Sequence, residues 1–102
     1  MRNKDVVLAF LEKRAASGSN LYSTGKRLIN YNTAIAEWYD NYHLIINNTK
    51  YSNSTSRWQK MIKIELFPAR GIVDYYINDV DRNTHDLISI YKSNKQRYEI
   101  LY

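Results

Sequence analysis

The chain contains no cysteine, a single proline and three glycines, and it has no apolar run long enough to cross a bilayer. Without cysteine there is no disulfide, no thiolate metal site and no cysteine nucleophile. Few Pro and Gly, with 44% hydrophobic residues, argue against a disordered or low-complexity chain. Nothing approaches the ~18 apolar residues of a membrane helix. The opening Met1-Arg2-Asn3-Lys4-Asp5 lacks the apolar stretch of a secretory signal, so a cytoplasmic protein is expected. Only His43 and His85 titrate near neutrality unperturbed, and neither has a second His one helical turn away. Asp79 and Asp81 lie in a polar, turn-like stretch that explains them as a solvated turn. There is no Gly-rich phosphate loop and no Gly-x-Ser-x-Gly elbow. The expectation is a non-enzymatic protein with no metal or cofactor.

What is present is basic and rich in tyrosine. The 102 residues suit one domain of ~100 residues. Fifteen Lys and Arg against ten Asp and Glu give a net charge of +5, and there are ten Tyr, two Trp and two Phe. The charge is unevenly placed. Residues 13–36 carry Lys13, Arg14, Lys26 and Arg27 and no acid, and residues 41–64 carry Lys50, Arg57, Lys60 and Lys63 and no acid. Residues 74–86 hold Asp74, Asp79, Asp81 and Asp86 against Arg82 alone. Cationic stretches concentrate polyanions, nucleic acid first among them, but a moderate positive charge also serves solubility.

Helical spacing of Val6, Val7, Phe10 and Leu11 behind a capping Asn3 predicts a helix over about 4–16, stopped by Ser17-Gly18-Ser19. Residues 20–51 are rich in β-formers. Gly25 marks a tight turn or bulge, and Asp40-Asn41 joins strands 33–39 and 42–47 into a hairpin. Ser52 to Ser56 is a run of capping residues, and Ser56 with Gln59 fits a capping box. Trp58, Met61, Ile62 and Leu66 then predict an amphipathic helix over about 55–66 that ends before Pro68, with Arg57, Lys60 and Lys63 on its outer edge. Residues 72–80 fit a helix face or an alternating strand, and their β-branched and aromatic content favours strand. Residues 87–92 and 96–102 flank Ser93-Asn94-Lys95 and predict a C-terminal hairpin, with Tyr98, Ile100 and Tyr102 on one face. The sum is an α+β fold, an antiparallel sheet of hairpins with two helices packed on one side, in a single domain of residues 1–102.

Tyrosines interleave with cations around Tyr22, Lys26, Arg27 and Tyr31, and again around Lys50, Tyr51, Arg57 and Trp58. A tyrosine ring stacks on bases and its hydroxyl bonds them, which suits single-stranded nucleic acid. Tyr, Trp and Arg are equally the usual anchors of protein interfaces, and large aromatics also fill cores. The helix beginning near Ser54 has two compatible readings. Its hydroxyls cap free N–H groups, or the same N-terminus, beside Lys50 and Arg57, holds an anion.

Two segments resemble a family of short proteins carried by tailed phages and related mobile elements. Asn20-Leu21-Tyr22-Ser23-Thr24-Gly25, followed by Leu28, Tyr31, Thr33, Ile35 and Ala36, is similar to its first block. Asn48-Thr49-Lys50-Tyr51-Ser52, running into Ser54-Thr55-Ser56-Arg57-Trp58-Gln59, is similar to its second. The resemblance covers roughly residues 3–60. This chain has Trp58 where the family usually shows His, so a role for that His would not carry over. The resemblance implies a phage context and supplies no activity.

Taken together, these readings predict a phage-type accessory protein that binds nucleic acid through a basic, Tyr-rich face. Lys26, Arg27, Lys50, Arg57, Lys60 and Lys63 would contact phosphate, and Tyr22, Tyr31 or Tyr51 would stack. The alternative is an anti-CRISPR-like inhibitor that binds a host nucleic-acid-handling or defence complex. A third class is a structural or regulatory phage component that self-associates, for example as a homodimer. No membrane partner is expected.

Overall fold

Helix α1 spans Asn3–Leu11 and stops earlier than its apolar pattern suggests. The computed structural model, which describes residues 1–66 and 71–101 and side chains through Asn94, supplies the reason. Lys13 adopts a left-handed conformation (φ 60°), its N–H donates to the Phe10 carbonyl, and the Arg14 N–H donates to the Ala9 carbonyl. This is the Schellman termination, with a lysine where glycine is usual. The chain then turns back as strand β1 (Ala15–Ser17) instead of continuing the helix to residue 16. Asn3 is not the cap either. That position falls to Arg2, which makes no side-chain cap bond, while Asn3 Nδ2 donates to Asn20 Oδ1 at 2.9 Å.

Strands β2 (Leu21–Thr24), β3 (Arg27–Asn30), β4 (Thr33–Trp38) and β5 (His43–Asn47) follow as an antiparallel meander. Gly25, at φ 91°, takes the first central position of the β2–β3 turn, where a side chain would be strained. Helix α2 (Asn53–Leu66) crosses from β5 to β6 (Val73–Ile77), which lies parallel to β5. The sheet order is β1-β2-β3-β4-β5-β6, so the expected all-antiparallel sheet is corrected to a mixed one. A crossover helix permits this, because only a long connection can return a strand in the same direction. The expected strand at 72–80 is present as β6. Pro68 lies outside the described residues.

The largest correction is at the C-terminus, where the expected hairpin is helix α3 (Leu87–Leu101). Its start is fixed twice. Asp86 accepts from the N–H and the hydroxyl of Ser89, and buried Glu37 on β4 accepts the Leu87 and Ile88 N–H groups at 2.8 and 3.1 Å. The Ser89 hydroxyl, then its N–H, hold the Asp86 carboxyl below the usual carboxylate range, with help from Arg27 and Lys26. The supposed face of Tyr98, Ile100 and Tyr102 lies outside the described side chains.

Two apolar clusters sit on the sheet. Val6, Val7 and Phe10 of α1 and Ile62 and Leu66 of α2 join Leu28, Leu44 and Ile46 in one. Leu87 of α3 joins Ile29, Ala34, Ile45 and Ile77 in the other. Neighbours along a strand point to opposite faces, so Leu44 and Ile45 divide the clusters between the two faces. Strands covered on both faces lose the apolar–polar alternation, and all six residues of β4 are buried. A register shift in the β3–β4 ladder leaves Leu28 opposite Ala36 and Ile29 opposite Ala34. Ile35 is the extra residue of this bulge. Ile35 and Ala36 therefore both serve the α1–α2 cluster, and Glu37 is turned toward α3.

Candidate functional site

Helix α2 carries three cations, Arg57, Lys60 and Lys63, the first two of them exposed. Its start is set by Ser52, whose Oγ accepts the Thr55 N–H at 3.2 Å while its carbonyl accepts the Ser56 N–H. The expected capping box of Ser56 and Gln59 is absent because Gln59 is buried and donates instead to the Asn47 and Thr49 carbonyls, at 2.7 and 2.9 Å. Thr55, Gln59, Ile62 and Leu66 form the inward stripe. Arg57 and Lys60 stand exposed on the outside, beside the 58% exposed Ile64. Lys50 is exposed in the segment leading into the helix. Lys63 bends sideways: its Nζ donates to Asn48 Oδ1 at 2.5 Å and lies 5.1 Å from the ring centre of Tyr76 on β6. Tyr76 pairs in register with Ile46, a residue of the α1–α2 cluster, so it shares the α2 face of the sheet.

Tyr76 is 46% exposed. Desolvation, then its hydrogen bond to the Asp74 carboxylate and that group's charge, push its hydroxyl up to about 12. A raised phenol pKa favours the neutral form in the folded state. The associated stability is complete below the ordinary phenol value near ~10 and is lost as pH rises through the folded value. Ultraviolet titration should therefore show a late tyrosine ionisation near pH 12 that Tyr76→Phe removes. A wild-type titration in which Tyr76→Phe removes a step near the ordinary phenol value would contradict the assignment.

The other expected contacts divide. Lys26 is exposed, but it lies on the β2–β3 turn, at the sheet end where β5 begins, whereas Lys50 follows the end of β5. Arg27 is committed: its Nε lies 2.6 Å from Oε2 of the fully buried Glu37. Tyr22 is exposed, and it pairs with Ile29 of the α3-side cluster, so it faces away from α2. Tyr31 occupies the β3–β4 turn at φ 54°, a conformation costly for a bulky residue, and its hydroxyl accepts from Asn20 Nδ2. Tyr51 is structural. Its hydroxyl donates to the Val80 carbonyl at 2.5 Å and accepts from Asn47 Nδ2 at 2.9 Å. The structure thus brings together Lys50, Arg57, Lys60 and Lys63 on and beside α2, and separates Lys26, Arg27, Tyr22 and Tyr31 from them.

No family model matches the chain, and comparison with curated proteins and with solved structures finds no match. The site must be read from its own chemistry. It offers exposed cations and one exposed ring beside them, whose hydroxyl is bonded to Asp74. His85 Nε2 donates to the Asn32 carbonyl at 2.7 Å, and His43 Nδ1 donates to Asp40 at 2.6 Å, both away from α2. Among the described residues no group of three or more His, Asp or Glu could hold a metal ion, and no helix is long and apolar enough to cross a membrane. Tyr76 was passed over in the sequence because its partner Lys63 is on a different element, joined to it only by the parallel pairing of β5 and β6.

Proposed function

We propose that this protein is a small, non-enzymatic, phage-type accessory protein that binds single-stranded nucleic acid along α2. Lys50, Arg57, Lys60 and Lys63 contact phosphates, and Tyr76 stacks on a base. The observation that carries this reading is the placement of Lys63 Nζ 5.1 Å from the ring centre of the exposed Tyr76, on the helix that also bears the exposed Arg57 and Lys60. Cations that track the backbone beside a ring that stacks on bases are the usual means of sequence-tolerant single-strand binding. The net charge of +5 adds long-range attraction. A phage context and a host-cytoplasmic location are part of this proposal and rest on the sequence resemblance over roughly residues 3–60 alone.

Fluorescence anisotropy with a labelled single-stranded oligonucleotide tests the reading. Four phosphate contacts at ~0.7 each give a log–log salt slope of about −2 to −3. Arg57→Glu with Lys60→Glu should weaken binding by about 100-fold at low salt. Tyr76→Leu should weaken it by about tenfold, the loss of one stacked base. No binding at about 50 mM salt, or charge-reversed protein that binds like wild type, would overturn the assignment. The alternative, an anti-CRISPR-like inhibitor of a host nucleic-acid-handling complex, is favoured by the exposed Tyr39 and Tyr42 of the β4–β5 turn, since exposed tyrosines are common interface anchors. Under that alternative, Tyr42→Ala and not Arg57→Glu would abolish function.

A further inference from the structure

A second site lies on the opposite face of the sheet, where Tyr39, Asp40, His43, Tyr75 and Tyr91 line a half-open cavity of about 140 Å³. Tyr75 pairs in register with Ile45 of the α3-side cluster, and Tyr91 is on α3, so this cavity does not share the α2 face. Its walls are rings. Tyr75 and Tyr91 lie 4.6 Å apart between centres, Tyr39 meets Tyr91 edge-on at 5.8 Å, and His43 stacks on Tyr75 at 5.9 Å. The one anion in its lining is Asp40. The Tyr42 N–H, then the His43 ring, hold its carboxyl below the usual carboxylate range, so it is charged at neutral pH. A carboxylate only accepts, so His43 carries a proton on Nδ1. Burial first, then Tyr75, raise the Tyr91 hydroxyl above its ordinary value, so that ring stays neutral.

We infer that this cavity is an aromatic cage for a compact organic cation, a guanidinium or methylated ammonium head group. Three tyrosine rings beside one carboxylate attract positive charge, and the carboxylate repels an anion. Size narrows the choice further. About 140 Å³ is less than the ~300 Å³ at which drug-sized ligand pockets begin. It is the room of four or five waters at ~30 Å³ each, enough for a head group and too little for a nucleotide. The protein already places a cation against this wall: Lys92 Nζ lies 5.7 Å from the ring centre of Tyr39. That amine serves one ring, which leaves Tyr75, Tyr91 and Asp40 to a ligand. The proposal does not depend on nucleic acid binding at α2, since the two sites share no residue.

Chemical-shift mapping by NMR tests it with three probes: choline, arginine amide and 3,3-dimethylbutan-1-ol, the uncharged isostere of choline. A cation should give saturable shifts at Tyr39, Asp40, His43, Tyr75 and Tyr91, with a dissociation constant in the millimolar range or tighter. The isostere should bind at least about tenfold more weakly. Choline binding alone identifies a methylated ammonium site, and arginine amide alone identifies a guanidinium site. Asp40→Asn, in an exposed turn, should weaken the cation about tenfold with the fold unchanged by circular dichroism, and Tyr75→Leu should weaken it similarly. Lys92→Met should bind at least as tightly as wild type. Absence of saturable shifts up to about 50 mM of either cation, equal binding of the isostere, or wild-type affinity in Asp40→Asn overturns the proposal.

Discussion

Glu37→Ala is expected to lower the unfolding free energy by about 3–5 kcal/mol, the usual cost of breaking a buried ion pair by removing one partner. For a domain of this size that is a fall in melting temperature of about 15–25 °C. The side chain is fully buried and does two jobs at once. Oε2 meets Arg27 Nε at 2.6 Å, and Oε1 accepts the first two N–H groups of α3. A carboxylate at a helix N-terminus also meets the positive end of the helix dipole. Truncation leaves a guanidinium that is two-thirds buried and two helix N–H groups without a partner. Glu37→Gln should cost less, about 1–3 kcal/mol, because its amide oxygen still accepts from α3 while the charge pair is lost. The double variant Glu37→Leu with Arg27→Met separates the roles. An apolar replacement of the pair is often close to neutral, so any remaining loss belongs to the uncapped helix. Guanidinium denaturation reads all three. A Glu37→Ala loss below about 1 kcal/mol would show that the carboxylate neither caps α3 nor needs Arg27.

That interaction also explains which parts of the molecule could be read in advance. The β4–β5 hairpin and α2 were legible because their signals are local: Asp40 closes the turn by accepting the Tyr42 N–H, and Trp58, Ile62 and Leu66 repeat at the helical period. The end of α1 was hidden because a lysine, not a glycine, takes the left-handed position. Helix α3 was hidden behind Ser93-Asn94-Lys95, which reads as a turn, although Leu87, Ile90 and Tyr91 do follow helical spacing behind Asp86. Half of its cap comes from Glu37, fifty residues earlier, and no local window contains that. The bulge at Ile35 is equally silent in the sequence, yet it decides that Glu37 turns to α3 and not into the α1–α2 cluster. The candidate site divides along the same line. The outer ridge of α2 follows from a helical wheel. The commitment of Arg27 and Tyr51 to partners ten and twenty-nine residues away does not.

Tyr51 belongs to a polar hub whose centre is Asn47, and Asn47→Ala is expected to cost about 3–5 kcal/mol, several buried hydrogen bonds at ~1–3 kcal/mol per group left unpaired. Asn47 is fully buried at the end of β5. Its Nδ2 donates to the Ala34 carbonyl at 3.0 Å and to the Tyr51 hydroxyl at 2.9 Å, and its Oδ1 accepts the Thr49 N–H at 3.0 Å. Its own carbonyl accepts from Gln59, and Tyr51 passes the chain of bonds on to Val80. One amide thereby ties β4, the approach to α2 and the segment after β6 together, and no hydrophobic residue of that size satisfies all of those groups. Tyr51→Phe removes only the outer link and should cost about 1–2 kcal/mol. The pair of variants also tests a role, not only a stability. If Tyr51 is structural, Tyr51→Phe lowers the denaturation midpoint while oligonucleotide affinity at α2 stays within about twofold of wild type. If Tyr51 stacks on a base, Tyr51→Phe keeps the ring and the affinity, but Tyr51→Leu loses about tenfold in binding at temperatures where the variant is fully folded. An unchanged midpoint in Tyr51→Phe together with that loss in Tyr51→Leu would return Tyr51 to the binding face and remove it from the hub.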